Sequence, residues 1–258
     1  VCLQTVANAA LRTGGDGIPS YQRAIASMTA VLAKNPTFVE GFRTLASRYQ
    51  DLAFQLQLLG LPGADDANER AIQSFLRATA IDPSDLGSAT YALETHARLV
   101  SLARTVPDLN KQLARMEDSF ATCHKLLPDH YVCDANRAVA YAWAAERRWQ
   151  AGEDPTADLK RCDDSMAVLR AQKAELLETE QAETRARWVA VAWQARNEGD
   201  LDAVRARFDE SLKRCLALDG KDPTCHILSA RTAWIDSERD GVSTKQASKL
   251  LRQAIDDA

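Results

Sequence analysis

The sequence predicts an all-α fold made of about six antiparallel helix pairs. Three observations predict it. Glycine and proline number only 11 and 8 in 258 residues, below the usual frequencies of about 7% and 5%, so turns are few. Alternating runs of valine, isoleucine and threonine are missing, and with them any strand signal. One helical stripe also recurs along the chain, with apolar residues at i, i+4 and i+7 and a helix stop shortly after.

The first copy is Ala24, Met28 and Val31, stopped at Pro36. It closes a unit at about 1–34, whose internal turn is the glycine-bearing RTGGDGIPS. The second unit, 38–80, opens with a helix carrying Phe42, Leu45, Ala46 and Tyr49 on one face. It turns at LGLPGADDAN and ends with Ala71, Phe75, Ala78 and Pro83. The third, 84–126, ends with Met116, Phe120, Cys123 and Pro128. The fourth, 131–172, turns at AGEDPTAD and shows Cys162, Met166, Leu169 and Ala174, and the fifth, 175–217, shows Phe208, Leu212, Cys215 and Gly220. The sixth, 223–257, turns at ERDGVSTK and closes with Ala247, Leu251 and Ala254. From Pro36 to Gly220 the stops are 47, 45, 46 and 46 residues apart. A period of this kind marks a stacked repeat in which neighbouring pairs bury one continuous core, giving a single repeat domain over residues 1–258.

Phe42, Leu45, Ala46, Tyr49, Ala71, Phe75, Ala78 and Pro83 match, position by position, the pattern that the chain resembles: the tetratricopeptide repeat (TPR) family. The period departs from the usual 34 residues, with the extra length in longer helices and loops. The resemblance implies an α-α superhelix whose first helices line a concave groove. By the family register Arg43, Ser47 and Gln50 point into it in the second unit, as do Val139 and Trp143 in the fourth. Trp143 and Trp234 fall late on equivalent first helices, where an inter-repeat core position is the alternative. The long repeat with GEDP-like loops is also similar to the C-terminal repeat regions of bacterial serine/threonine protein kinases. No kinase glycine-rich loop, catalytic loop or Asp-Phe-Gly motif occurs in this sequence.

The repeat register also sorts the six cysteines. Cys123 and Cys133 are ten residues apart, as are Cys215 and Cys225, and the two pairs occupy equivalent positions around a unit-to-unit turn. Helix axes pack about 8–10 Å apart and a disulfide needs Cα atoms within about 7 Å, so bridging is feasible where helices converge. Two disulfides are therefore expected, and with them an oxidising, periplasmic or extracytoplasmic compartment, with the cytoplasm as the alternative. Unbonded buried thiols are one alternative. Zinc at Cys123, His124, His130 and Cys133 is another, against the usual ligand spacing. Cys2 has the register of Cys133 and Cys225, so its partner is expected upstream of Val1, in a longer chain from which this one derives. Cys162 sits at a small-residue core position and is expected to be a free buried thiol.

A net charge of −4 excludes a basic nucleic-acid footprint, and no apolar stretch is long enough for this segment to insert into a membrane. Gly14, Gly15 and Gly17 lack the Gly-Lys-Ser/Thr ending of a phosphate loop. Asp65/Asp66 and Asp163/Asp164 read as helix-start and loop residues, and the charge runs as solvated faces. No catalytic, metal or cofactor site is expected. The expected function is a non-catalytic scaffold or sensor that binds a protein or peptide in the groove, in a signalling kinase by the resemblance. A periplasmic or lipid-anchored assembly factor and a small-molecule-binding regulatory domain are the alternatives.

Overall fold

The computed structural model describes residues 17–239. Among them are ten α-helices and no strand. They are α1 (Ile18–Lys34), α2 (Val39–Leu58), α3 (Ala64–Ile81), α4 (Leu86–Leu102) and α5 (Val106–Leu126), then α6 (Tyr131–Ala151), α7 (Thr156–Ala171), α8 (Leu177–Arg196), α9 (Asp202–Leu218) and α10 (Pro223–Arg239). Cys2, Gly14, Gly15 and the closing stripe Ala247, Leu251 and Ala254 lie outside the described residues.

Local chemistry sets the helix ends. A proline stands at the start of α1, and Asp65 and Asp66 occupy the first turn of α3, where the dipole favours negative charge. The residue two places after a stop caps the next helix in three cases. Asp85 Oδ1 accepts from the Ser88 amide at 3.2 Å, His130 Nδ1 from Val132 at 3.2 Å, and Asp222 Oδ1 from Cys225 at 2.8 Å. Gly152 ends α6 at φ +78°, a left-handed conformation that favours glycine, and its amide returns to Arg148 and Trp149.

The described chain forms two compact units, one holding residues up to Leu99 with Asp118–Asp129, the other Val100–Glu117 with the residues from His130 on. In the first, α1 packs on α2 and α2 on α3. Its core holds Ile18, Tyr21, Leu52, Ala53 and Ala67, with a second cluster of Ala46, Phe75 and Ala92. In the second, α6 packs on α7, α7 on α8, α8 on α9 and α9 on α10. The helices α6, α8 and α10 also meet directly, α6 on α8 and α8 on α10. Phe208 sits in a core with Ala145, Trp188, Val189, Val191, Ala192, Leu201 and Leu228.

The recurring stripe is the buried face of its helices. Ala71, Phe75 and Ala78 are buried in α3, as are Cys162, Met166 and Leu169 in α7 and Phe208 and Cys215 in α9. The copy on α1, a helix that packs on α2, differs: Val31 is exposed.

Cys215, in the last turn of α9, and Cys225, in the first turn of α10, form a disulfide with Cα atoms 6.4 Å apart. Cys123 and Cys133 are each disulfide-bonded, and all four sulfur-bearing residues are fully buried. Cys162 is free and buried. Burial first, then the charge of Asp163, pushes its thiol well above the ordinary range, so it is unreactive. The Cys215–Cys225 link closes a ten-residue separation, and loop-closure entropy assigns such a bridge about 2.5–3 kcal/mol. The double variant Cys215→Ala/Cys225→Ala should lose roughly that amount in urea unfolding. Reduction should add four hydrogens to the intact mass, one at each of Cys123, Cys133, Cys215 and Cys225. A smaller gain means fewer bridges.

Candidate functional site

In the first unit, Arg43, Ser47 and Gln50 fall at i, i+4 and i+7 on α2, one face of the helix. Arg43 is half-exposed and pairs with Glu40 at 3.2 Å and, more distantly, with Asp85 at 3.9 Å. Gln50 Nε2 donates to Thr95 Oγ1 on α4 at 2.7 Å. Ser47 is half-buried. The stripe is thus largely tied to neighbouring side chains.

The second unit builds a richer face around Trp143. Val139 and Trp143 are both half-buried on α6, and Glu146, Arg147 and Gln150 continue their side of the helix. From α8, the Arg185 guanidinium lies 3.6 Å from the Trp143 ring centroid, a close cation–π stack. Arg147 approaches the same ring at 6.0 Å. Glu146, only 2% exposed, accepts from Arg185 and from Arg231 of α10 at 3.1 Å. Gln150 donates to Glu146 at 3.2 Å and accepts from Arg147 at 3.0 Å. Arg147 also donates twice to the Ser101 carbonyl, at 2.6 and 3.2 Å. Arg231 lies 5.0 Å from the Trp188 ring centroid.

Burial holds the Arg185 guanidinium below its ordinary range. Glu146 opposes that shift, and the charges of Arg231 and Arg147 add to it. Two further carboxylate centres lie in this unit. Glu117 accepts from Arg137 at 2.9 Å and from the Tyr141 hydroxyl at 2.7 Å. Burial, then that hydrogen bond, pushes the Tyr141 phenol up. Glu183 is shared by Arg170, Arg187 and Arg214, and Asp163 pairs with Arg187 at 2.7 Å and Arg207 at 3.3 Å.

A separate cleft of about 570 Å³ is lined by Trp149, Ala192, Ala195, Leu201 and Ile235, with Arg196 and Glu198 beside them. Trp149 meets Trp188 edge to face at 4.9 Å, and the buried indole N–H of each has no acceptor among the described residues.

No protein-family model matches the chain, and no curated protein matches it.

Three sequence expectations need correction. Asp163 and Asp164 lie mid-helix in α7 rather than at its start, and Asp163 reaches across to α8 and α9. The charged residues are not all solvated: Glu146, Glu180, Glu183 and Arg187 are buried, because neighbouring helices supply the opposite charge. The four-ligand zinc grouping fails, since Cys123 and Cys133 are disulfide-bonded and His130 is a helix cap. Cys215, Asp222 and Cys225 also cluster, but both sulfurs are in the disulfide, and Asp222 accepts from the Cys225 amide and from Gln181 at 2.6 Å.

The sequence reasoning missed Arg185 and Arg231. The signal was present in the register: they stand 46 and 92 residues after Val139, at the position already assigned to the groove. Trp234 is half-buried on α10. No helix among the described residues is long and apolar enough to cross a membrane.

Proposed function

We propose that the chain is a TPR-like repeat scaffold that docks a peptide or protein segment on the first-helix face around Trp143. The observation that carries this is the Trp143 face itself. An aromatic ring and three arginines from successive first helices converge there, half-buried and hydrogen-bonded into one arrangement. Aromatic and arginine side chains held rigid in this way are what peptide-binding hot spots use. Packing of successive helices, α1 on α2 and α2 on α3 in the first unit and α6 through α10 in order in the second, with α6, α8 and α10 meeting directly, supports the repeat reading. The oxidised cysteines support an extracytoplasmic setting. Placement beside a bacterial signalling kinase rests on the repeat resemblance alone.

A random peptide library displayed against the immobilised chain tests the docking reading. Enriched peptides should lose binding to Trp143→Ala and keep it to Trp193→Ala. Equal binding to both variants removes Trp143 from the docking face and overturns the proposal.

A small-molecule regulatory domain is the second reading. The Trp149 cleft favours it: its volume suits a small ligand, and the buried indole N–H offers a hydrogen-bond donor.

A further inference from the structure

We infer that the Trp143 face takes an acidic peptide, whose carboxylates are seated by Arg147 and Arg231. The inference deepens the docking reading and rests on it. The whole chain carries a net charge of −4, yet here three guanidiniums meet one carboxylate. Arg185 and Arg231 share Glu146, while Arg147 is held by two neutral groups, the Ser101 carbonyl and the Gln150 amide. Two positive charges are therefore left over at this centre.

The three arginines are not equally available. Arg185 is committed to the Trp143 ring and to Glu146, and its side chain is largely buried. The Arg231 side chain is 42% exposed, and its one hydrogen bond among the described residues uses Nη1. Its remaining N–H donors form a planar fork that matches a carboxylate. Arg147 is half-buried beside the same ring. Excess positive charge close to aromatic surface is poorly solvated, so an incoming carboxylate gains more there than on an open face. Glu146 does not repel it, being neutralised by its own two arginines. The aromatic ring gives the peptide backbone an apolar surface beside the charged end.

Isothermal titration of the intact chain with two short peptides tests this. The peptides are identical except that every Glu and Asp of one is Gln or Asn in the other. The acidic peptide should bind, and its affinity should fall as salt is raised from low to physiological concentration. Arg231→Gln and Arg147→Gln should each weaken it roughly tenfold or more, as expected for one lost hydrogen bond to a charged group. Arg231→Lys should weaken it less than Arg231→Gln. Far-UV circular dichroism and melting confirm that each variant folds. Equal affinity for the two peptides overturns the acidic preference and leaves the docking reading standing. Unchanged affinity in both glutamine variants overturns the assignment to these arginines. Binding of neither peptide overturns the inference, while the library experiment decides the docking reading independently.

Discussion

Phe208→Ala should destabilise the second unit by about 3–5 kcal/mol, the range for truncating a fully buried phenylalanine. The ring is 1% exposed and lies in a core with Ala145 from α6, Trp188, Val189 and Val191 from α8, and Leu228 from α10. Three helices therefore close around one side chain carried by a fourth, α9. Close-packed helices held on several sides do not collapse into the space left behind, so the cavity cost adds to the lost burial. Leu218→Ala, in the last turn of the same helix, is the control: Leu218 is exposed and its loss should change stability by no more than about 0.5 kcal/mol. Urea unfolding followed by circular dichroism reads both. A Phe208 variant as stable as the Leu218 variant would mean that α9 does not close this core.

Glu146→Ala should be comparably severe, for an electrostatic reason. The carboxylate serves Arg185 and Arg231 together, and its removal leaves Arg185 charged and buried without a counter-ion. Breaking a buried pair from one side costs about 3–5 kcal/mol. Glu146→Gln retains the shape and one acceptor but not the charge, so it should fall between wild type and alanine. The double variant Glu146→Met/Arg185→Met should recover much of the loss, because the pair is then replaced by apolar volume. The Glu146–Arg185 pair is shielded from solvent, so the ranking should hold at high salt. Recovery in the double variant separates charge burial from a packing defect. If it is no more stable than Glu146→Ala, the damage is steric.

The helical class was legible in the sequence because its signal is local. The stops at Pro36, Pro83 and Pro128 coincide with the ends of α1, α3 and α5, since a proline forbids continuation whatever surrounds it. The stripe Ala71, Phe75 and Ala78 was legible for the same reason: helical geometry alone puts these residues on one face. The equivalent stripe on α1 lies partly in solvent. Amphipathicity shows which face is offered for burial, not whether a helix arrives to cover it.

The candidate site was legible only in part. Trp143 and Val139 came from the register, but the charges around them did not. Glu146 finds its partners 39 and 85 residues away, and no spacing rule within one helix connects such residues. A buried glutamate on α6 has the same sequence signature as a solvated one. Only the opposite charge delivered by α8 and α10 makes its burial tolerable. Arg185 and Arg231 were reachable in principle, as copies of the Val139 position, had the register been followed forward.

The most direct test of the docking account is the indole N–H region of the NMR spectrum, in which the five tryptophans report separately. With the chain labelled at its indole nitrogens and the acidic peptide added, the Trp143 signal should move most. Trp188, whose ring lies under Arg231, should follow more weakly, and Trp193 should stay in place. A saturable shift confined to Trp143 and Trp188 is the result the account predicts. A Trp143 signal that stays fixed while the peptide binds would contradict it.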